Sequence, residues 1–223
     1  MPSIFAGSLD DMPTAMHHRL GAFRYDVFVG RLGWHLPDAD VTNVTEWDQF
    51  DRGHTVQIVS IDHAQHVCGC ARLMPTTKPY LLQTLSTRSS TLELPCAPTI
   101  WELSRFAARH YDARTLCPAS GMALFPSMLA VAASLGATRV IGAMTRAVAR
   151  LYQRFGLGLE LIQVIERAGE PIYLIGAIDL GRSTFENLAC DADELLRAVT
   201  WLGPHRAALP LSSTADRPLI SDC

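Results

Sequence analysis

No residue between Thr115 and Thr138 (TLCPASGMALFPSMLAVAASLGAT) carries a charge. A stretch that presents no charged face to water belongs either in a bilayer or inside a fold. Pro118, Gly121, Pro126 and Gly136 interrupt this one, and Ala, Ser and Gly stand where a lipid-facing span would be rich in Leu and Ile. It therefore predicts a buried helix of about 14 to 18 residues ending at Gly136, packed between a sheet and other elements. No membrane span is expected.

Such a helix needs a sheet to lie on, and the flanking sequence supplies one. TVQIVSI and VCGCARLMP, separated by the turn-like DHAQH, predict a hairpin, and TIWELSRFAAR is a third strand. TRVIGAM reads as a fourth buried strand and RAVARLYQRF as a helix. LELIQVIER and PIYLIGAIDL form a last pair turning at Ala168 to Glu170, and FENLACDADELLRAVTWL is a closing helix. Near the N-terminus, MPTAMHHRLGAFRYDVFVGRLGW predicts a helix opening near Pro13 and closing before Gly33, with Met16, Leu20, Phe23 and Val27 on its apolar stripe. The segment HLPDADVTNVTEWDQFDRGHT that follows is too long for a plain connector.

Hairpin strands followed by strands interleaved with helices predict an α/β fold, with a mixed, largely antiparallel central sheet and helices on both faces. One domain over residues 1–203 is expected, with a loose tail over 204–223 rich in Pro and Ser. Where such a sheet turns from antiparallel to parallel its strands splay, and a ligand crevice is expected there. The net charge of −3 argues against a nucleic-acid binder that relies on a general basic field. The six cysteines follow no disulfide-scaffold spacing, and MPSIFAGSLDD lacks a basic region and an apolar run, so a cytoplasmic location is expected.

Six ionisable residues sit among large apolar neighbours: Arg24, Asp48, Asp51, Arg72, Glu102 and Arg105. Such groups are rarely buried unless paired, and their charges sum to zero, which suits a zwitterionic ligand. Together with Phe28 and Trp34, in FRYDVFVGRLGW, EWDQFD, GCARLMPTTKPYLL and WELSRFA, they resemble the signature of the acyl-homoserine-lactone synthases, the autoinducer synthases of bacterial quorum sensing. The resemblance runs in order from about residue 20 to 180, much longer than one short motif. It implies a three-layer fold of the GCN5-related N-acetyltransferase kind. It also implies two substrates, S-adenosylmethionine and an acyl thioester on acyl carrier protein or coenzyme A. No metal and no cofactor are implied.

The chemistry explains why these residue types are wanted. A free α-amino group has a pKa of about 7.7 to 8.0, so a modest base suffices to ready it for attack on a thioester, and Glu102 is the candidate. Asp48 and Arg72 are the other candidate catalytic residues, and Arg24, Phe28, Trp34, Asp48, Asp51 and Arg105 the candidate S-adenosylmethionine site, Phe28 and Trp34 as aromatic walls facing the sulfonium. Alternation along a strand would send Glu102 and Arg105 to opposite faces. A β-bulge between them would restore both to one face; alternatively, Arg105 serves the other face as a structural partner of Asp48 or Asp51.

Trp101, Phe106, Leu124, Met128 and Met144 are candidates for an acyl pocket between the central strands and the uncharged helix. The resemblance aligns Met144, with Thr145 one residue away, to the position where a threonine goes with 3-oxo chains in the family, and so implies an unsubstituted chain. Arg146, Arg150 and Arg154 recur every four residues on one helix face, either as solvated surface or as a docking strip for an acidic acyl carrier protein. Zinc held by His63, His66, Cys68 and Cys70 is a rival reading, although the spacing departs from structural zinc sites. A thiol nucleophile at Cys68 or Cys70 is another. An acetyl-coenzyme A acetyltransferase would carry a glycine-rich loop before the long helix, which RTLCPASGMA does not supply. A noncatalytic binding module is the third alternative.

Overall fold

The computed structural model describes residues 2–85, 94–109, 118–166 and 172–203, with the backbone alone for 118–123. The expected turn at Ala168 to Glu170 and the tail from Pro204 lie outside the described residues, as does most of the segment before the long helix.

One eight-stranded sheet organises the chain, in the order β6-β7-β5-β4-β3-β2-β1-β8. Its strands are β1 (Ser3–Gly7), β2 (Val56–Ile61), β3 (Val67–Pro75), β4 (Ile100–Ala108), β5 (Arg139–Thr145), β6 (Leu159–Ile165), β7 (Tyr173–Asp179) and β8 (Val199–Trp201). All pairs are antiparallel except β4 with β5 and β1 with β8. The helices are α1 (Thr14–Arg24), α2 (Leu82–Leu85), α3 (Pro118–Ser134), α4 (Arg146–Arg154), α5 (Arg182–Asn187) and α6 (Ala192–Arg197).

Residue chemistry explains the layering. In α3, Leu124, Phe125 and Met128 to Ala132 are all buried, which is why the uncharged run tolerates no charge. They share a core with Val56, Ile58, Leu73, Trp101 and Val140 of the sheet and with side chains of α4, α5 and α6. The opposite face is covered by Leu20 and Phe23 of α1 and by a third cluster around Tyr80, Leu82 and Ile141. Helices thus lie on both faces, as expected, and among the described residues none is long and apolar enough to cross a membrane.

Two expectations change, and two strands are added. The first helix is α-helical only to Arg24 and runs on to Arg31 as a π-helix, which buries Val27 and Phe28. The closing helix is two short helices, broken after Asn187 and capped anew by the Asp191 side chain, and then strand β8. β1 and β8 were not expected at all; both are short strands at one end of the sheet.

The sheet opens where parallel pairing was expected to open it. β4 and β5 pair only through Ile100–Arg139, Trp101–Val140 and Glu102–Ile141, although both strands continue. Just beyond, a Cβ on Gly142 would lie 2.9 Å from the Leu103 carbonyl oxygen. Gly142→Ala should therefore push β4 and β5 apart and destabilise the protein by about 1–3 kcal/mol, read as a lowered urea midpoint. An unchanged midpoint would contradict this close approach.

Candidate active site

The charged residues come together beside the opening between β4 and β5. Arg24 ends α1, Arg72 lies on β3 and Arg105 on β4, while the long segment before β2 carries Glu46, Asp48 and Asp51. Arg24 donates from Nε to Glu46 Oε2 (2.6 Å) and from Nη1 and Nη2 to both Asp51 oxygens (2.9 and 3.0 Å). Arg72 donates from Nη1 to Asp48 Oδ1 (2.6 Å) and Asp51 Oδ1 (2.9 Å), and from Nη2 to Asp48 Oδ2 (3.0 Å). Arg105 Nη2 donates to Glu46 Oε1 and Asp48 Oδ2, both at 2.9 Å. Each carboxylate bridges two arginines, so Arg24, Glu46, Arg105, Asp48, Arg72 and Asp51 form a closed ring of alternating sign.

Glu46 is the member the sequence pattern did not reveal, and it takes the place expected for Glu102. The signal was present: Glu46 stands two residues before Asp48 in EWD, the spacing that puts extended residues on one face. Glu46 is fully buried, and its neighbour Trp47 carries the Arg24 guanidinium 4.8 Å above its ring. The ring of charges is least covered at Asp48, whose side chain is 11% exposed against 4% or less for Arg24, Glu46, Asp51, Arg72 and Arg105.

A bulge does bring Arg105 to the Glu102 face, but it sits at Arg105 itself and not before it. Cys70 pairs with Ala107 and Arg72 with Ser104, which leaves one more residue on β4 than on β3. Arg105 takes a left-handed φ of 52°, an arrangement costing on the order of 1–3 kcal/mol that the ring over-determines. Arg72 Nε donates to Ser104 Oγ at 3.0 Å, placing Ser104, and Glu102 two residues before it, on the ring's side of the sheet. The alternative also holds in part, since Arg105 is indeed a partner of Asp48.

Burial alone would raise the Asp51 carboxyl, but the Arg24 and Arg72 guanidinium groups outweigh it and hold Asp51 well below the usual carboxylate range. Glu46 is likewise lowered against its burial by Arg24 and Arg105. Glu102 goes the other way. It is 1% exposed, and burial pushes it up to about 8; the Leu82 N–H, Arg72 and Arg105 pull it down only in part, and Asp48 adds to the rise. Seven charged groups thus resolve into a neutral six-membered ring and one carboxyl that holds its proton near neutrality.

Phe28 and Trp34 stack with centroids 4.9 Å apart, and the Arg105 guanidinium carbon lies 5.6 Å from the Phe28 ring centre. The Trp34 backbone N–H donates to the Phe28 carbonyl (2.9 Å), so the π-helix fixes this aromatic wall beside the ring. Trp101, Leu124 and Met128 are buried in the α3 core and Phe106 and Met144 pack against it, on the other side of the sheet from Glu102. Arg146, Arg150 and Arg154 project to solvent from α4, whose Ala149 and Tyr152 face the core. The rival nucleophiles are poorly suited: burial pushes the Cys70 thiol up to about 12 and raises Cys68 as well, so neither favours the thiolate. Among the described residues no group of His, Cys, Asp and Glu is placed to hold a metal ion.

The chain is similar to known proteins along most of its length. The autoinducer synthase family matches residues 9–188, which include the whole ring and Glu102. An acyl-homoserine-lactone synthase of Ralstonia solanacearum is 42% identical over 188 residues, covering 78% of this chain and 86% of that protein. The crystal structure of TofI, in a ternary complex with an inhibitor and MTA, is 33% identical and superposes with a TM-score of 0.71 over 86% of this chain and 98% of that one. At the level of fold alone, a Lactobacillus plantarum protein taken for an N-acetyltransferase superposes with a TM-score of 0.54 at 17% identity, over 81% of this chain and 99% of that one. The chain belongs to the autoinducer synthase family. Its activity is acyl transfer in acyl-homoserine-lactone synthesis, on an N-acetyltransferase-like sheet.

Two stability experiments probe these assignments. Glu46→Gln leaves Arg24 and Arg105 buried with a neutral partner and should cost about 3–5 kcal/mol in urea unfolding. Glu102→Gln should do the opposite in a defined pH window. A carboxyl raised in the folded state lowers stability as pH climbs from its unfolded value of 4.5 to its folded value of about 8. The variant should match the parent near pH 4 and exceed it at pH 8 by a few kcal/mol, because each pH interval of one between those two values takes about 1.4 kcal/mol from the parent. Parallel stability–pH curves would refute the raised carboxyl.

Proposed function

We propose that the ring and its aromatic wall bind S-adenosylmethionine and that Glu102 is the base of the acyl transfer. Glu102, ionised, accepts a proton from the α-amine of S-adenosylmethionine, directly or through water. The amine nitrogen attacks the thioester carbonyl, the C–S bond breaks, and the acyl group passes to nitrogen as an amide while the carrier leaves as a thiol. In the second step a methionyl carboxylate oxygen attacks the carbon beside the sulfonium. That C–S bond breaks with its electron pair going to sulfur, the lactone closes, and neutral methylthioadenosine departs.

The observation that carries this reading is a buried carboxyl, raised to about 8, beside a ring of six compensating charges and at the opening of β4 from β5. A base works best when its pKa lies near that of the proton it takes, and the α-amine titrates at about 7.7 to 8.0. Asp48 and Arg105, the members of the ring nearest solvent, suit a zwitterion: Asp48 would face the cationic end and Arg105 the carboxylate. Arg24, Asp51 and Arg72 hold those two in place, and Phe28 and Trp34 flank the sulfonium. The ring closure needs chiefly a folded substrate in near-attack geometry, an effect worth up to about 7–11 kcal/mol in well-oriented systems. No cofactor enters, since S-adenosylmethionine is consumed.

For the donor, the α3 core around Trp101, Phe106, Leu124, Met128 and Met144 suits the apolar chain. The α4 strip of Arg146, Arg150 and Arg154 suits an acidic acyl carrier protein, with acyl-coenzyme A as the other donor. Thr145, one residue beyond Met144, caps α4 by accepting from the Val148 N–H (3.4 Å), which leaves the thioether beside the core and favours an unsubstituted chain. The compartment proposed is the cytoplasm.

Methylthioadenosine should appear only when S-adenosylmethionine and an acyl thioester are both present; acetyl transfer without it would favour an ordinary acetyltransferase. Glu102→Gln should lower kcat by about 100-fold or more, the usual range for a lost general base, with little change in KM for S-adenosylmethionine. Unchanged turnover would remove the base. Arg150→Glu should raise KM for an acyl carrier protein donor at low salt, with the difference shrinking as salt screens the strip.

A further inference from the structure

Among the described residues, the Leu82 backbone N–H is the single hydrogen-bond donor to the Glu102 carboxylate, at 3.0 Å to Oε2. That amide opens the one-turn helix α2, too short to hold a position by its own hydrogen bonds. Something else must keep Leu82 on Glu102, and the chain between Thr76 and Leu82 supplies two pins. Thr76 N–H donates to the Ile100 carbonyl (3.1 Å), and its Oγ1 accepts from the Ala97 N–H (3.0 Å) while lying 2.9 Å from the Ala97 and Ile100 carbonyl oxygens. Tyr80 Oη donates to the Pro95 carbonyl at 2.7 Å. Both pins join this strap to residues 95–100, the stretch that leads into β4 and so to Glu102.

Tyr80 is the pin nearer Leu82 along the chain. Its side chain is fully buried, as is Leu82, and the Glu102 charge acts on its phenol. Burial first, then Glu102, push that phenol up to about 12, so it stays a neutral hydroxyl donor. The turn is closed from within by Tyr80 N–H to Gln83 Oε1 and by Gln83 N–H to the Tyr80 carbonyl, both at 3.2 Å. The phenol and the Leu82 amide are therefore two ends of one small rigid unit.

We propose that Tyr80 is a positioning residue for the acyl-transfer reaction: its bond to the Pro95 carbonyl holds the Leu82 N–H on Glu102 and thereby sets how readily Glu102 gives up its proton. This rests on the reading of Glu102 as the base. A hydrogen bond donated to a carboxylate favours the charged form, so loosening the strap makes Glu102 harder to ionise and leaves less base at neutral pH.

Tyr80→Phe removes the hydroxyl and keeps the ring. Its kcat at pH 7 should fall several-fold, up to about tenfold for one lost hydrogen bond, with KM for S-adenosylmethionine unchanged. The midpoint of the rising kcat–pH limb should move upward. Added to Glu102→Gln, Tyr80→Phe should cause no further loss of turnover. A midpoint that stays put, or an equal loss in both backgrounds, would overturn the proposal and leave Tyr80 a packing residue. Thr76→Val tests the other pin of the strap, with the same upward shift expected and Thr76→Ser restoring the parent profile. Glu102 can also be titrated without turnover, from the pH at which the growing difference in urea stability between Glu and Gln at position 102 levels off, the folded-state midpoint of Glu102, measured with Tyr80 and with Tyr80→Phe. If that midpoint moves while the kcat limb does not, the strap acts on Glu102 and the base assignment fails. If neither moves, the strap does not act on Glu102.

Discussion

Three arginines and three carboxylates, closed into a ring, are the interaction on which the rest of this protein depends. Desolvating one such ion is costly by several kcal/mol, and a single pair recovers that only with near-ideal geometry. Closure changes the balance, because each carboxylate has two cationic neighbours and each guanidinium has anions on two sides. The ring also ties together parts of the chain far apart in sequence: the end of α1, the segment carrying Glu46 to Asp51, and strands β3 and β4. That long segment has few regular hydrogen bonds of its own, the isolated Asp40–Thr45 bridge among them. Its three acids, together with the packing of Trp47 and the buried Phe50, hold it against the fold.

The same arrangement explains how two kinds of carboxyl coexist within one small region. Asp51 and Glu46 have guanidinium partners and remain ionised in spite of burial; Glu102 has a backbone amide and apolar surroundings and does not. Because the ring is neutral, it imposes no large net field on Glu102, whose proton affinity is set mainly by lack of water. An excess of arginine would have ionised Glu102 outright, and an excess of acid would have locked its proton on. The pairing of β4 with β5 ends at Glu102, so this poised group stands where the two strands cease to share a ladder.

Much of this was legible in the sequence, for identifiable physical reasons. The uncharged run could only be the central buried helix, and alternating or wholly apolar runs marked β2 to β7. Five of the six ring members were recognisable as charges in apolar company. Glu46 was not, because it follows the polar stretch TNVT and looks solvated until the fold covers it. The placement of the bulge at Arg105 depends on pairing with β3, which no local pattern encodes. The π-helix was hidden because it changes hydrogen bonding without changing composition. β1 and β8 escaped notice for want of length: three residues of VTW carry no periodicity.

The pairing of β1 with β8 has a consequence for how the chain comes into being. A ribosome delivers β1 first and β8 last among the described strands, and β8 pairs in parallel with the outer side of β1 while β2 holds its inner side. Throughout synthesis, one row of β1 backbone donors and acceptors waits uncovered for residues nearly two hundred positions away. A polypeptide that stops short of Val199 keeps that row bare, an adhesive margin open to any extended segment nearby. The short strand β8 thus covers that margin over Ile4 to Ala6 and leaves a shorter edge in its place.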